Sequence, residues 1–475
     1  MPQKKSSKAR PQPNGGNLSQ AGVRRTGSDK RAAGITPGRE GYGITPSTYR
    51  MGTTGRYLVL FRDGATQAGA KMLSRSAGLK VRSATSGGGV VDREGLGEGA
   101  VVFDKIGVAV VSSEPTRMRS LSAESGDPIL AIEPERYVYA TTSLTYAGVG
   151  VAEPVQTAEY LRGYRDAVNQ LTDNLMTSNG HAPELDRQLI TADARRATWG
   201  LYATKVLNSN YTGRGVRLAV LDTGFDLDHP DFAGRIIVSE SFIDGEEVQD
   251  GNGHGTHCIG TACGPRAPEI LPRYGIAYEA EIYAGKVLGN NGSGDDTGIL
   301  GGIEWAITNQ CAIISMSLGA PTSVGETFSQ VYEVAAQRAL AAGTLIIAAA
   351  GNDSSRPELI SPVSHPANCP SIMAIAALDR KGAIAYFSCG GVSGDGGQVD
   401  IAGPGVAVHS SWPIPRRYNN ISGTSMATPH VAGIAALFAE AKGARGSQLW
   451  SLLTQNARRS NLPARDVGAG LVQAP

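Results

Sequence analysis

The chain has 475 residues, of which 41% are hydrophobic and 18% charged, the composition of a soluble globular protein with room for two or three domains. No apolar run approaches the ~18 residues of a membrane-spanning helix, and the basic start MPQKKSSKARPQPNGG lacks the apolar stretch of a signal peptide. The five cysteines, an odd number, give no disulfide framework. We therefore expect a cytoplasmic location, with secretion by a non-standard route as the alternative.

The net charge of +1 hides a strongly basic N-terminal segment. Residues 1–56 contain eleven lysine and arginine residues against only Asp29 and Glu40. Residues 1–55 are also rich in glycine, serine and proline, which is typical of a disordered tail. Some basic tails bind nucleic acid or anionic membranes. This one has almost no interleaved aromatic residues, so we interpret it as a solvated leader and expect no nucleic-acid partner.

Residues 56–140 are the first predicted folded unit. Strand-like runs rich in valine and isoleucine occur as YLVLFRDG, AVVFDKIGVAVVSS and ILAIEPERYVYA, and a helix is predicted through Met72 and Leu73. The unit is therefore a small α+β domain. Residues 141–190 are interpreted as a connector. It contains one predicted helical face, formed by Tyr160, Leu161, Tyr164, Val168, Leu171 and Leu175.

Residues 191–475 repeat a pattern of strand, loop and helix. The runs VRLAVLD, EIYAGKVL, AIISMSLG, TLIIAAAGN and IMAIAALD are short and continuously apolar, as in strands buried on both faces. Helical patterns such as TFSQVYEVAAQRALAAG lie between them. We predict an α/β fold, with a doubly wound, mostly parallel sheet and helices on both faces. Ligands bind such sheets at the carboxyl ends of the strands.

Two polar motifs fall at these strand ends. Asp222 closes the run VRLAVLD, where a buried carboxylate is costly unless it has a partner; the alternative is a turn or capping aspartate. The motif GNGHGTHC then supplies His254 and His257. These could be a metal pair, but the nearby Asp250 and Cys258 do not complete a recognisable zinc spacing.

Two further motifs supply an amide and a serine hydroxyl that could take part in catalysis. Asn352 follows the buried run of AAAGN, where the alternative is a turn asparagine. Ser425 lies in SGTSMATPHVAG, where the alternative is an ordinary helix start. Aspartate, histidine and serine in this order, with an amide donor, match a known arrangement for acyl transfer. Pro429 lacks an N–H and frees the carbonyl of residue 425 from a helical bond; the sequence does not say what binds that carbonyl.

The chain resembles the subtilases, the subtilisin-like serine proteases, from about Thr198 to Leu471. The resemblance is carried by AVLDTGFDLDHPDF, NGHGTHC, YAGKVLGNNGSG, ISMSLG, AAAGN and SGTSMATPHVAG. It implies a subtilisin-like fold and a serine endopeptidase that cleaves proteins or peptides through an acyl-enzyme, with no cofactor for catalysis. The implied roles are triad aspartate, general base, nucleophile and oxyanion donor for Asp222, His254, Ser425 and Asn352. The alternative is an inactive scaffold or binding protein of the same fold.

The same resemblance implies the substrate-binding residues. Two substrate-pairing edges are implied at Gly292, Ser293 and Gly294 and at Ser317, Leu318 and Gly319. The specificity pocket would be lined by Leu318, Gly319, Ala349, Ala350 and Gly351. Since these residues are small or apolar, we expect a medium or large apolar residue before the scissile bond. Asp353 would admit some basic residues at the rim.

Residues 56–140 resemble the family's inhibitory pro-domain, a small ferredoxin-like α+β unit. YLVLFRDG matches its opening strand, and PILAIEPERYVYA matches the strand and tail that enter the active site. The resemblance implies a self-inhibited precursor that cleaves itself. An extended strand can add to both substrate edges, which would put Ala140 in the specificity pocket and Thr141 beyond the scissile bond.

Structural calcium is the only metal that the resemblance implies. Asp231 matches a family calcium ligand, but the loop completing that site is replaced here by CGPRAPEILPRYG, so we expect it to be absent or rebuilt. A second site is suggested at Asp400 with the carbonyls of Pro370 and Ile372; the alternative is Asp400 as a turn acceptor. Cys258, four residues after His254, resembles a free thiol of the proteinase-K-like branch.

Overall fold

The structure is a computed structural model that describes residues 52–84, 97–118, 128–141, 196–394 and 396–475. The described strands are β1 (Thr53–Phe61), β2 (Lys80–Ser83), β3 (Gly99–Phe103), β4 (Val108–Ser112), β5 (Ile129–Ala140), β6 (Arg217–Asp222), β7 (Ile237–Ser241), β8 (Glu281–Lys286), β9 (Ser293–Asp295), β10 (Ile313–Met316), β11 (Leu318–Gly319), β12 (Leu345–Ala349), β13 (Met373–Leu378), β14 (Ile401–Pro404), β15 (Val408–Ser411) and β16 (Tyr418–Ile421). The described α-helices are α1 (Thr66–Ser76), α2 (Trp199–Ala203), α3 (His254–Cys263), α4 (Asp296–Thr308), α5 (Gln330–Ala341), α6 (Thr424–Lys442), α7 (Ser447–Gln455) and α8 (Ala464–Val467).

Seven strands of the second half form one parallel sheet in the order β14-β13-β12-β10-β6-β8-β7. Its central strands are buried, except for the half-buried Arg217 at the start of β6, as their continuous valine, isoleucine, leucine and alanine runs require. Helices α3 and α6 pack against each other, α6 also lies on β10 and β12 to β14, and α4 lies on β6 and β8. The predicted α/β class with a mostly parallel sheet is confirmed.

The N-terminal unit forms a second sheet, in the order β5-β1-β4-β3-β2. Side chains alternate across β1: Val59 and Phe61 pack in a small core with Leu73 of α1, whereas Leu58 and Leu60 join the large core of the second half. Both faces of the unit are thus covered. The described strands and helix agree with a small α+β unit, and its ferredoxin-like topology stays a prediction.

Several sequence predictions lie outside the described residues. These are residues 1–51 of the basic tail predicted over residues 1–55, and the connector helix within residues 142–195. The end of the predicted tail is corrected, because β1 already begins at Thr53. All described residues belong to one compact unit, which begins at Arg50. No helix in the described part of the chain is long and apolar enough to cross a membrane.

Candidate active site

Asp222 and His254 meet at the carboxyl end of the parallel sheet. Asp222 ends β6 and His254 begins α3, and Asp222 Oδ1 lies 2.7 Å from His254 Nδ1. Both side chains are buried. Gly253 forms the turn just before His254: it has a φ of +104°, and a Cβ there would lie 2.4 Å from the Trp412 ring, so glycine suits this position. The imidazole is therefore held by a rigid turn and a carboxylate.

The surroundings of His254 make its imidazole a stronger base. Burial opposes protonation, but the attraction of Asp222 and the contact with Cys258 outweigh it, so the pKa of His254 lies well above its usual value. His257 differs, because burial lowers its pKa to about 3 and its Nε2 lies 3.0 Å from the carbonyl of Val408. His257 therefore turns away from His254, which argues against a metal pair.

Ser425 lies in the first turn of α6 and faces Thr141, which directly follows the N-terminal unit. Its hydroxyl donates to the carbonyl of Thr141 and lies 2.6 Å from Thr141 Oγ1 and 3.2 Å from the carbonyl of Ser317. His254 Nε2 is buried without a hydrogen-bond partner among the described residues. The serine hydroxyl is thus turned toward the bound carbonyl and not toward the imidazole.

Asn352 holds the same carbonyl from the other side. Its Nδ2 donates to the Thr141 carbonyl at 2.6 Å. Its Oδ1 accepts from the backbone N–H and the hydroxyl of Thr424, both at 2.9 Å, so only the amide donor faces Thr141. Thr424 is a residue that the sequence reasoning missed. The signal was present, because a hydroxyl residue next to Ser425 can orient a neighbouring amide.

The carbonyl freed by Pro429 has two donors. Ser317 Oγ donates to the carbonyl of Ser425 at 2.9 Å, and Cys258 Sγ lies 3.6 Å from it. Cys258 is fully buried, and burial raises the pKa of its thiol. Because Pro429 leaves the Ser425 carbonyl without a helical partner, that carbonyl can contact Ser317, between β10 and β11, and Cys258 of α3.

The six residues predicted to form the substrate-pairing edges, 292–294 and 317–319, lie on either side of the carboxyl end of β5. Antiparallel pairing joins β5 to β9 on one side and to β11 on the other. The registers are Tyr137 with Asp295, Val138 with Gly294, Tyr139 with both Ser293 and Gly319, and Ala140 with Leu318. Ala140 also donates its N–H to the Gly292 carbonyl at 2.9 Å, and Thr141 to the Ser317 carbonyl at 3.2 Å.

The structure shifts the predicted register by one residue. The sequence analysis placed Ala140 at the reacting position, but the carbonyl held by Asn352 and Ser425 belongs to Thr141. Gly423 makes room for it, since a Cβ on Gly423 would lie 2.9 Å from that oxygen. The peptide bond facing Ser425 is therefore the one that follows Thr141.

The predicted pocket residues Ala349, Ala350 and Gly351 are buried beside Thr424. Ser364 lies close to both Gly319 and Gly351. A Cβ on Gly319 would be 3.4 Å from Ser364 Cβ, and a Cβ on Gly351 would be only 2.1 Å from Ser364 Oγ. Ser364 Oγ also donates to Asp353 Oδ2 at 3.3 Å, and burial raises the pKa of Asp353. The apolar pocket predicted from the sequence thus has one polar wall.

Acidic residues of β5 lie at the amino ends of two helices. Glu133 accepts from Ser329 Oγ at 2.6 Å and from Gln330 N at 2.7 Å, at the start of α5. Glu135 accepts from the backbone N–H of Thr297 in α4 at 3.0 Å. Amino ends of helices stabilise negative charge, so these contacts attach β5 to the second half.

Glu135 belongs to a buried charge cluster. Arg56 Nε lies 2.5 Å from Glu135 Oε2, and Arg56 Nη2 lies 2.7 Å from Asp295 Oδ2. Burial, followed by the charge of Asp295, raises the pKa of Glu135. One arginine of β1 thus links an acid of β5 to an acid of β9.

The residues considered for calcium have protein partners. Asp231 accepts from Glu269 N at 2.7 Å, from Tyr274 OH at 2.5 Å and from Tyr418 OH at 3.1 Å. Asp400 Oδ2 accepts from Ala374 N at 2.8 Å. Burial raises the pKa of Asp400 to about 7, because no positive charge offsets the cost of removing its ionised form from water.

The fold and this site define a serine hydrolase of the Asp–His–Ser type. The chain belongs to the subtilase family, whose model matches residues 213–470. It is 41% identical over 269 residues to the "Thermostable alkaline protease" of Halalkalibacterium halodurans, covering 56% of this chain and 68% of that protein. It is 40% identical over 252 residues to the "M-protease" of Shouchella clausii, covering 52% and 61%. It is also 41% identical over 248 residues to "Subtilisin Savinase" of Lederbergia lenta, covering 51% and 84%.

These similarities bear on the predicted function, family branch, calcium binding and location. The chain is a subtilisin-like serine endopeptidase, as predicted, and its substrates are proteins or peptides. The scaffold alternative is not favoured, and membership of the proteinase-K-like branch is not confirmed. Subtilisins bind structural calcium and need no cofactor for catalysis. The prediction of a cytoplasmic location is wrong: the matched relatives are secreted, extracellular proteases.

Proposed function

We propose that Ser425 is the nucleophile, His254 the general base, Asp222 the residue that orients it, and Asn352 the oxyanion donor. Ser425 Oγ attacks the scissile carbonyl carbon while its proton passes to His254 Nε2. That proton then goes to the leaving nitrogen, the C–N bond breaks, and an acyl ester remains. Water, deprotonated by His254, hydrolyses the ester and restores the hydroxyl. Asn352 Nδ2 donates to the oxyanion of the tetrahedral intermediate formed in each of the two steps.

We propose further that the enzyme is made as a self-inhibited precursor. The inhibitor is the unit at residues 56–140, followed by a connector at 141–190 and the catalytic domain at 191–475. The proposal rests on the Thr141 carbonyl, which accepts from Asn352 Nδ2 at 2.6 Å at the end of a strand paired on both sides. Such a segment blocks the cleft as a substrate does. The edges at 292–294 and 317–319 would bind other substrates in the same way.

Self-cleavage is expected after Thr141, because that carbonyl faces Ser425. The test is N-terminal sequencing of the purified full chain. We expect a product that begins at Thr142, and an intact chain for Ser425→Ala. Ser422→Ala is the matched control, since Ser422 lies in the same motif and its Oγ accepts from Ala407 N at 2.9 Å. Processing by the Ser425→Ala chain, or cleavage at another bond, would contradict the proposal.

We propose Asp400 and the carbonyls of Pro370 and Ile372 as a calcium site. A hard cation fits oxygen ligands, and it would supply the positive charge that the half-buried Asp400 lacks. Millimolar calcium should therefore raise the melting temperature relative to a chelator, and Asp400→Asn should remove that increase. Asp228→Asn, at an exposed position, is the control. An equal response of both variants would exclude this site.

A further inference from the structure

Four cationic side chains line one pocket at the start of the catalytic domain. The cavity has a volume of about 510 Å³, and no acidic residue lines it. Its walls also include apolar Leu201 and polar Asn208. The cations are Arg196, Lys205, Arg266 and Arg273. None of the proposed catalytic or substrate-binding residues contributes to it.

These four cations have no ion-pair partner in the part of the chain that the structure describes. Other arginines of the catalytic domain behave differently: Arg214 pairs with Glu279 at 2.9 Å and Arg217 with Glu281 at 3.1 Å. Arg196, Lys205 and Arg266 are exposed, so water screens much of their mutual repulsion, but together the four cations give the pocket a positive potential that would attract an anion.

The guanidinium of Arg273 is fixed in position. Its Nε donates to the carbonyl of Gly275 at 3.1 Å and its Nη2 to that of Ile276 at 3.3 Å. It lies 5.0 Å from the centre of the Tyr278 ring, and Arg266 lies 6.0 Å from the same ring. Burial and, to a smaller extent, Arg266 lower the pKa of Arg273. Both arginines come from the CGPRAPEILPRYG loop, and a fixed guanidinium needs little ordering when it binds an anion.

The backbone also brings the other two cations to the pocket. Ala197 forms a parallel bridge with Arg273, and this places the adjacent Arg196 beside it. Lys205 has a φ of 60°, in the left-handed region that non-glycine residues seldom adopt. Lys205 directly follows Thr204, the residue that caps the carboxyl end of α2, where a left-handed residue commonly ends a helix.

We propose that this pocket binds a compact polyvalent anion of the phosphate class. Several cations, three of them planar guanidinium groups, match the charge and geometry of phosphoryl oxygens better than those of a single carboxylate. The cavity volume suits a small ligand. Binding would tie the junction at Arg196 to the loop that carries Arg266 and Arg273, so the anion should also stabilise the fold.

The test uses the full chain with Ser425→Ala, which prevents self-cleavage, and titrates it with pyrophosphate at constant ionic strength. We expect saturable binding and a rise in melting temperature. Lys205→Gln and Arg266→Gln should each weaken binding about tenfold, whereas Arg214→Gln, outside the pocket, should bind as the parent does. Lys205→Gly removes the charge and relieves the backbone strain, so it should fold well and still bind weakly. No saturable binding, or equal affinity in all variants, would overturn the proposal.

Discussion

Glu133→Ala should weaken inhibition by the N-terminal unit. Glu133 is the residue of β5 whose carboxylate accepts from Ser329 Oγ at 2.6 Å and Gln330 N at 2.7 Å. It makes these bonds at the amino end of α5, where four backbone N–H groups lack helical partners. Alanine removes both acceptors and the charge, but it leaves the pairing of β5 with β9 and β11 unchanged.

The size of the effect follows from these contacts. A hydrogen bond to a charged group contributes about 1.5–3 kcal/mol, and a charge at a helix amino end contributes roughly 0.3–1 kcal/mol. The two terms describe the same contact, so they are not added. The Glu133 side chain is 16% exposed, so water can replace part of the loss. We expect about 2 kcal/mol, or about a 30-fold increase in the inhibition constant.

The assay uses the complex that remains after self-cleavage. Activity on a peptide substrate is measured over a dilution series, and the dilution that releases half of the activity gives the inhibition constant. Glu98→Ala is the matched control, because Glu98 lies on the same unit with its side chain 61% exposed. If Glu133→Ala and Glu98→Ala gave the same constant, the contact with α5 would not hold the unit in the cleft.

Further predictions concern catalysis, pH and specificity. Asn352→Ala should lower kcat on the order of 10²–10³-fold, as is typical for an oxyanion donor. Thr424→Val should lower kcat about tenfold with little change in KM, since the amide of Asn352 loses a hydrogen bond of about 1–1.5 kcal/mol; steady-state kinetics checks both variants. The pKa of Glu135 is raised in the complex, so the complex binds a proton that the free unit releases. Inhibition should therefore be strongest at acid pH and weaken as the pH rises through this raised pKa; a flat profile would contradict this. Ser364→Gly should deepen the pocket and shift a peptide-library profile toward larger residues before the scissile bond.

The site residues that the sequence predicted best are polar residues that directly follow a buried strand. Asp222 and Asn352 each follow a continuous apolar run, and such runs become buried parallel strands because both of their faces are covered. The carboxyl ends of parallel strands meet at one edge, so four motifs far apart in the chain come together there. Periodicity and motif order carry this information without any knowledge of side-chain contacts.

The sequence was less informative about contacts between the two halves of the chain. Moving β5 by one residue changes which carbonyl faces Ser425, yet Ala140 and Thr141 are both small and neither marks the position. The register depends instead on partners distant in sequence, among them Glu133 at the start of α5 and Glu135 at α4. Alternating apolar residues specify a strand and its faces, but they do not specify its exact end.

The described arrangement separates two steps of the proposed activation, cleavage of the chain and release of β5 from the cleft. The side chains proposed for catalysis lie around the Thr141 carbonyl, but the Ser425 hydroxyl bonds to carbonyl oxygens, and His254 Nε2 has no partner in the described residues. Deprotonation of Ser425 requires its side chain to rotate toward His254. Rotamer changes are fast compared with the release of a strand paired on both sides. We therefore infer that latency depends on how long β5 stays in the cleft, and that contacts outside the active site, such as that of Glu133, control it.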